Sequence, residues 1–243
     1  PRVFVTVRRS RNPTRPKSPY ISECFKVMGV RGSVYVRSQL QSSSGLGSSA
    51  AVTVATLSAI NDEFDLGHPR EYIAETAFAI EKKVQKGRAS PTDTYVSANG
   101  GMVMITGESK RRLPPENLHL VVGNTMVPHS TAKMVEQVAN LRQHHPAIAN
   151  PILDAIGELT LAAIHEMSNP KELGQYMDMN HALLEALGVG HPASSRLVLA
   201  ARASGAYGAK ITGAGGGGSI IALCPRLQRT GLPGRSRPVR EGP

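Results

Sequence analysis

The sequence predicts a mixed α/β (α+β) protein, on three observations. Short runs that alternate apolar and polar residues, "VFVTV" at 3–7 and "GSVYVRSQL" at 32–40, have the period of strands. Longer stretches, such as "PREYIAETAFAIEKKVQ" at 69–85, repeat apolar residues at helical spacing. Two glycine-rich loops, "SSSGLGSS" at 42–49 and "GAGGGG" at 213–218, sit where a strand gives way to a helix or to another strand.

In chain order, the strand at 3–7 leads into "RRSRNPTRPKSP", whose Pro and Arg content marks a loop. The strand at 32–40 ends in the Gly-Ser turn, and a helix follows from about Ser48 to Asn61. Pro69 is well placed for the first turn of the next helix. "GRASPTDTYVSANGG" at 87–101 predicts a turn-rich loop, with Asp93 in a turn behind Pro91. "MVMIT" and "LHLVVGN" are strand candidates, and "STAKMVEQVANLRQHH" is a helix with Ser130 as its N-cap. Further helices fit 151–167, 170–187 and about 193–204. "YGAKITGAGGGGSIIALC" predicts strand, glycine loop, strand. After Cys224 the sequence has no periodicity and predicts disorder, and there are no internal repeats.

The 243 residues suit one large domain or two small ones. With 40% hydrophobic and 19% charged residues, the composition is that of a soluble globular protein. No apolar run of membrane-spanning length and no signal peptide is expected. Cys24 and Cys224 make neither a disulfide framework nor a metal spacing, which predicts two reduced thiols in a cytoplasmic protein. The net charge of +10 suggests a nucleic-acid partner until it is located: residues 1–19 contribute +6 and residues 225–243 contribute +4, which is the whole excess. A neutral body with only 4% aromatic residues offers few stacking platforms, so no specific nucleic-acid function is expected.

Three stretches carry chemistry. A Gly-Ser loop ahead of a helix places free N–H groups and the helix dipole at one point, where small residues let a phosphate approach. Gly45, Leu46, Gly47, Ser48, Ser49 and Ala50 form that junction. No Gly-Lys-Ser/Thr follows, and Ala50 breaks the dinucleotide pattern, so spacing alone leaves a serine-capped turn equally open. The second stretch, Gly213 to Gly218, costs conformational entropy and makes sense where backbone must approach a ligand or another loop. The third runs from Glu81 to Asp93; one carboxylate near phosphates can hold Mg2+ and another can take a proton from an alcohol, although carboxylates so placed are more often ordinary surface or capping groups. The histidines offer no better site, since His144 and His145 are adjacent and no H-E-x-x-H pattern occurs.

Together "GLGSSAA", "ASPTDTYVS" and "KITGAGGGGS" resemble the second motif, the catalytic-aspartate segment and the third motif of the GHMP kinases, in family order and at family spacing. Within that family, "KVQKGRASPTDTYVSANGG" and "ARASGAYGAKITGAGGGG" are most similar to the archaeal-type mevalonate kinases, and the resemblance runs from about Ser18 to Leu223. It implies two lobes, an N-lobe like ribosomal protein S5 domain 2 over 1–113 and a ferredoxin-like C-lobe over 114–224, both incomplete, with a disordered tail at 225–243. It also implies ATP-dependent phosphorylation of mevalonate to 5-phosphomevalonate. Gly45–Ala50 and Gly213, Gly215 and Gly216 would hold the ATP phosphates, Ser49 and Glu81 would hold Mg2+, Asp93 would act on the substrate hydroxyl, and Ser130 and Thr131 would line the substrate side. The implied partners are ATP and mevalonate, with no specific nucleic acid and no membrane, and a homodimer as the assembly left open.

The sequence departs from that family in five places. The first motif, with its lysine, has no counterpart, and a chain starting at Pro1 is expected to be processed or part of a longer one. The Arg, Pro and Gly bias of "PRLQRTGLPGRSRPVREGP" is that of a frame-shifted or foreign extension. Gln41 stands where a proline is usual, and Ser219 where a cysteine is common. Lys86 is an extra residue, expected to shift Glu81 relative to Asp93 by part of a helical turn. Kinases for other small alcohols (homoserine or phosphomevalonate) and an inactive remnant are the competing readings; "SPTDT" favours mevalonate over homoserine.

Overall fold

The computed structural model describes residues 2–13, 16–39, 45–87, 89–107, 109–128 and 130–226. Its first half contains β1 (Val3–Arg9), α1 (Pro19–Val27), β2 (Gly32–Ser38), α2 (Ser48–Glu63), α3 (Arg70–Val84), α4 (Pro91–Asn99), β3 (Met102–Thr106) and β4 (Ser109–Leu113). β1 and β2 pair antiparallel with Val5 opposite Val36 and Val7 opposite Val34, so valines share one face, which lies on α2. α2 runs through the core, with buried positions spread around it. Leu57 and Ile60 are fully buried, and the buried hydroxyls of Thr53 and Thr56 bond back to Ser49 O at 2.8 Å and Val52 O at 2.7 Å. Cys24, Phe25, Ile73 and Ile80 complete this cluster. Burial pushes the Cys24 thiol up to about 12, which makes it an inert core residue.

The second half contains β5 (Leu120–Asn124), α5 (Thr131–His144), α6 (Pro146–His165), α7 (Pro170–Ala186), α8 (Pro192–Ala203), β6 (Gly208–Ile211) and β7 (Ser219–Leu223). Its sheet has the order β5-β7-β6, all antiparallel, with Ile211 opposite Ile220 and Ala209 opposite Ala222. Those four residues meet Val189 and Val198 in one core cluster. α7 crosses β6 with no side chain between them. A Cβ on Gly208 would lie 1.9 Å from Gly174 O, and one on Gly174 would lie 2.4 Å from the Tyr207 backbone.

Several sequence expectations are corrected. Residues 91–99 form α4 and not a turn-rich loop: Pro91 presets the first turn, Ser90 Oγ accepts from Thr92 N at 3.3 Å, and Gly100 at φ 66° ends the helix. α1 lay unmarked between the Pro-rich loop and the second strand, yet it buries Ile21, Cys24 and Phe25 on one face. β4, "SKRRL", shows no apolar alternation because it is mostly exposed and is held by pairing with β3. α6 begins at Pro146 and carries Pro151 inside it, whereas the sequence placed a helix start at Pro151. With 20 residues and a mean hydropathy of 1.4, α6 is also long and apolar enough to cross a membrane by length and composition, where no such stretch was expected; it packs here against α5 and α7. The expected tail, from residue 227 onward, lies outside the described residues, as does Gln41.

The α7–β6 crossing makes a prediction. Gly174→Ala should destabilise the chain by about 2–3 kcal/mol through overpacking against backbone, read by chemical denaturation. A change within about 0.5 kcal/mol would show that the crossing is not close-packed.

Candidate active site

Four helices point their N-termini at one cleft of about 940 Å³. α1 brings Ser18, Pro19 and Tyr20, α2 brings Gly47, Ser48 and Ser49, α4 brings Ser90, Thr92 and Asp93, and α5 brings Thr131 and Ala132. The N–H groups of a helix's first turn have no acceptor within that helix, and each N-terminus carries a partial positive charge. None of the described lining residues is a lysine or arginine, so backbone supplies the positive potential of this cleft.

Gly47 is the N-cap of α2 at φ 65°, and a Cβ there would lie 3.1 Å from Asp93 Cγ. This position therefore needs glycine twice over, for the left-handed backbone and for the approach of the aspartate. Ser49 Oγ, two residues along, donates to Glu81 Oε1 at 2.5 Å across to the last turn of α3. Glu81 is only 3% exposed. Burial raises its carboxyl above the ordinary carboxylate range and the Asp93 charge adds to that, while the Ser49 hydrogen bond partly offsets both. The cleft walls partly desolvate Asp93 and raise its carboxyl too, although its side chain still reaches solvent. From the far side of the cleft, Gly213 at φ 60° sits against the first loop: a Cβ on it would be 3.5 Å from Gly45 O.

The structure thus gathers Gly45, Gly47, Ser48, Ser49, Glu81, Asp93, Thr131 and Gly213 at one place. It does not bring the other sequence candidates there. Leu46 and Ala50 are not part of the lining, and Ala50 is fully buried on α2. Gly215 packs on Val189 O and Gly216 on Met134, so both serve the loop's packing. Ser130 caps α5 by accepting from Lys133 N at 3.3 Å and leaves the cleft to Thr131. Lys86 takes φ 53° in the turn that ends α3, where Lys86 N bonds Lys83 O and Gly87 N bonds Lys82 O. Sequence reasoning missed Ser18, Pro19 and Tyr20, although Ser-Pro at 18–19 is the same cap-and-first-turn pair as Ser-Pro at 90–91.

A divalent cation fits the donor set. Ser49 and Glu81 offer two hard oxygens 2.5 Å apart, one of them a buried carboxylate whose ionised form lacks a compensating cation in the lining. Among the described residues, no group of three or more His, Cys, Asp or Glu side chains forms a metal cage, so part of the coordination would have to come from a ligand such as a phosphate.

The family model described as GHMP kinases N terminal domain matches residues 19–101, and that described as GHMP kinases C terminal matches residues 160–230. The mevalonate kinase of Pyrococcus abyssi is 41% identical over 216 residues, 86% of this chain and 64% of the relative. That of Pyrococcus horikoshii is 39% identical over 91% of this chain and 70% of the relative. The chain therefore spans about two thirds of the length of the curated relatives it matches. Among solved structures, the Methanococcus jannaschii mevalonate kinase superposes with a TM-score of 0.71 at 28% identity, over 85% of this chain and 66% of that one. The L. major mevalonate kinase in complex with R-mevalonate shares the fold, with a TM-score of 0.78 at 23% identity over 93% of this chain and 78% of that one.

The raised carboxyl of Glu81 sets a pH dependence. A carboxyl whose folded pKa lies above its unfolded value favours folding fully below the unfolded pKa, and that contribution is lost as the pH rises through the folded value. Glu81→Gln keeps an acceptor for Ser49 and removes the titration. Without metal or nucleotide, it should melt higher than the parent chain at neutral pH, and the gap should close as the pH falls to about 4. A variant melting lower than the parent at every pH would contradict this.

Proposed function

The chain belongs to the GHMP kinase family and has that family's fold, and from that premise we propose that it transfers the γ-phosphoryl group of ATP to the primary hydroxyl of mevalonate. The observation that carries this reading is the convergence of four helix N-termini on a cleft that also holds Glu81 and Asp93. Backbone N–H groups of Gly47, Ser48 and Ser49 would receive the phosphates, with Gly213 against Gly45 closing the other wall. Ser49 and Glu81 would hold Mg2+, which when bound neutralises charge on phosphate oxygens.

Asp93 is the base in this scheme. Its carboxylate orients the substrate hydroxyl and accepts its proton as the new O–P bond forms, while the bond to the bridging oxygen breaks and its electron pair leaves on ADP. A carboxyl raised by its surroundings suits that task better than a fully solvated one. Thr131 and Ala132, which line the same cleft as Asp93, would border the alcohol. One observation favours a second reading, nucleotide binding without turnover: no described lining residue supplies a cationic side chain beside Asp93.

A coupled assay of ADP release with ATP and Mg2+ separates these readings, with mevalonate, homoserine and phosphomevalonate offered in parallel. Mevalonate-dependent turnover is expected, reduced by at least about 100-fold in Asp93→Asn with ATP affinity within about twofold of the parent. Full activity in that variant removes Asp93 from its role, and saturable ATP binding with no turnover on any alcohol selects the second reading.

A further inference from the structure

We infer that Gln137, on the outer side of α5 and away from the cleft, is a positioning residue for the glycine loop 213–218. This rests on the reading that the cleft receives nucleotide phosphates. The loop has no side chain of its own with which to anchor itself, apart from the methyl of Ala214. Its shape is set by what it leans on. Gly216 N donates to Val189 O at 2.8 Å, and Gly218 N donates to Val127 O at 3.1 Å. A Cβ on Gly215 would lie 2.2 Å from Val189 O, and one on Gly216 would lie 2.6 Å from Met134 Sδ. The turn between α7 and α8, together with Val127 and Met134, is therefore the surface on which this loop is moulded.

That turn buries Val189 in the core and also takes a hydrogen bond from α5. Gly188, at φ 79°, ends α7 with Gly188 N bonded to Glu185 O at 2.9 Å and Val189 N bonded to Leu184 O at 3.2 Å. This helix-ending geometry turns the carbonyls of Gly188 and Val189 away from α7. Val189 O takes the glycine loop, and Gly188 O accepts from Gln137 Nε2 at 2.7 Å. α5 is the helix whose first residue, Thr131, borders the cleft. One rigid helix thus places the alcohol-side wall with its first turn and the glycine loop through Gln137 in its middle. Gln137 touches no cleft atom; it acts through Gly188 and Val189.

The test sorts variants by hydrogen-bond donation. Gln137→Leu and Gln137→Glu lose the donor, and Gln137→Lys keeps one. Amide hydrogen exchange at Gly216, measured on the full chain without ligand, should accelerate about fivefold or more in the first two and stay within about twofold of the parent in Gln137→Lys. The dissociation constant for ATP with Mg2+ should rise by a similar factor in the same two variants, with the melting temperature unchanged. Unchanged exchange at Gly216 in Gln137→Leu overturns the inference, as does equal loss in Gln137→Lys. Exchange needs no substrate and no turnover, so it decides the role of Gln137 even where the chain binds no ATP and the kinase reading itself fails.

Discussion

The hydrogen bond from Ser49 to Glu81 is the constraint around which the N-terminal half is arranged. It joins the first turn of α2 to the last turn of α3, two helices otherwise held by apolar packing. Placing a carboxylate there requires burial, burial disfavours its charge, and the hydroxyl lowers that cost without removing it. α4 then lies against both helices and sets Asp93 on the bare backbone of Gly47. Each feature depends on the one before: a larger residue at Gly47 would push Asp93 out of the cleft, and a shifted α3 would take Glu81 away from Ser49.

The electrostatics of the cleft follow from this geometry. Two carboxylates and no cationic side chain among the described lining residues would make a poor anion site if side chains alone counted. Backbone reverses that expectation, because four helix N-termini supply positive potential that costs no reorganisation when a ligand arrives. The carboxylates suit a metal and the helix ends suit an anion, so the geometry is that of a site for phosphate and a divalent cation taken up together.

Much of this was legible in the sequence, and what was not has physical causes. The glycine loops could be read because their chemistry is local, glycines marking close approach, whereas Ser49, Glu81 and Asp93 owe their expected roles to the family resemblance. α4 was read as a loop because "SPTDTYVSAN" has turn-forming residues and no apolar stripe, and the pairing of Ser90 with Pro91 as cap and first turn was not given its weight. α1 was missed because nine residues hold too few repeats of an apolar period. The roles of Gly215, Gly216 and Ser130 could not be assigned from spacing. Whether a glycine faces a ligand or Val189 depends on tertiary packing that no local pattern encodes. The shared convergence of four helix ends is likewise a property of the fold.

The strand order β5-β7-β6 has a consequence for how the chain comes to be folded. β7 is the central strand of its sheet and the last of the three to leave the ribosome, and it pairs with β5 on the order of a hundred residues earlier. Until β7 emerges, β5 and β6 have no common partner, and the apolar faces of α5, α7 and α8 have no finished sheet to cover. The second half of the molecule is thus completed in a late step, after a wait set by the rate of translation, while the first half already has every strand of its β1–β2 pair. The wait exposes Val198, Ala209 and Ile211, which are buried once β7 is in place, to solvent and to neighbouring chains, so the yield of folded protein depends on how quickly the last strand is delivered.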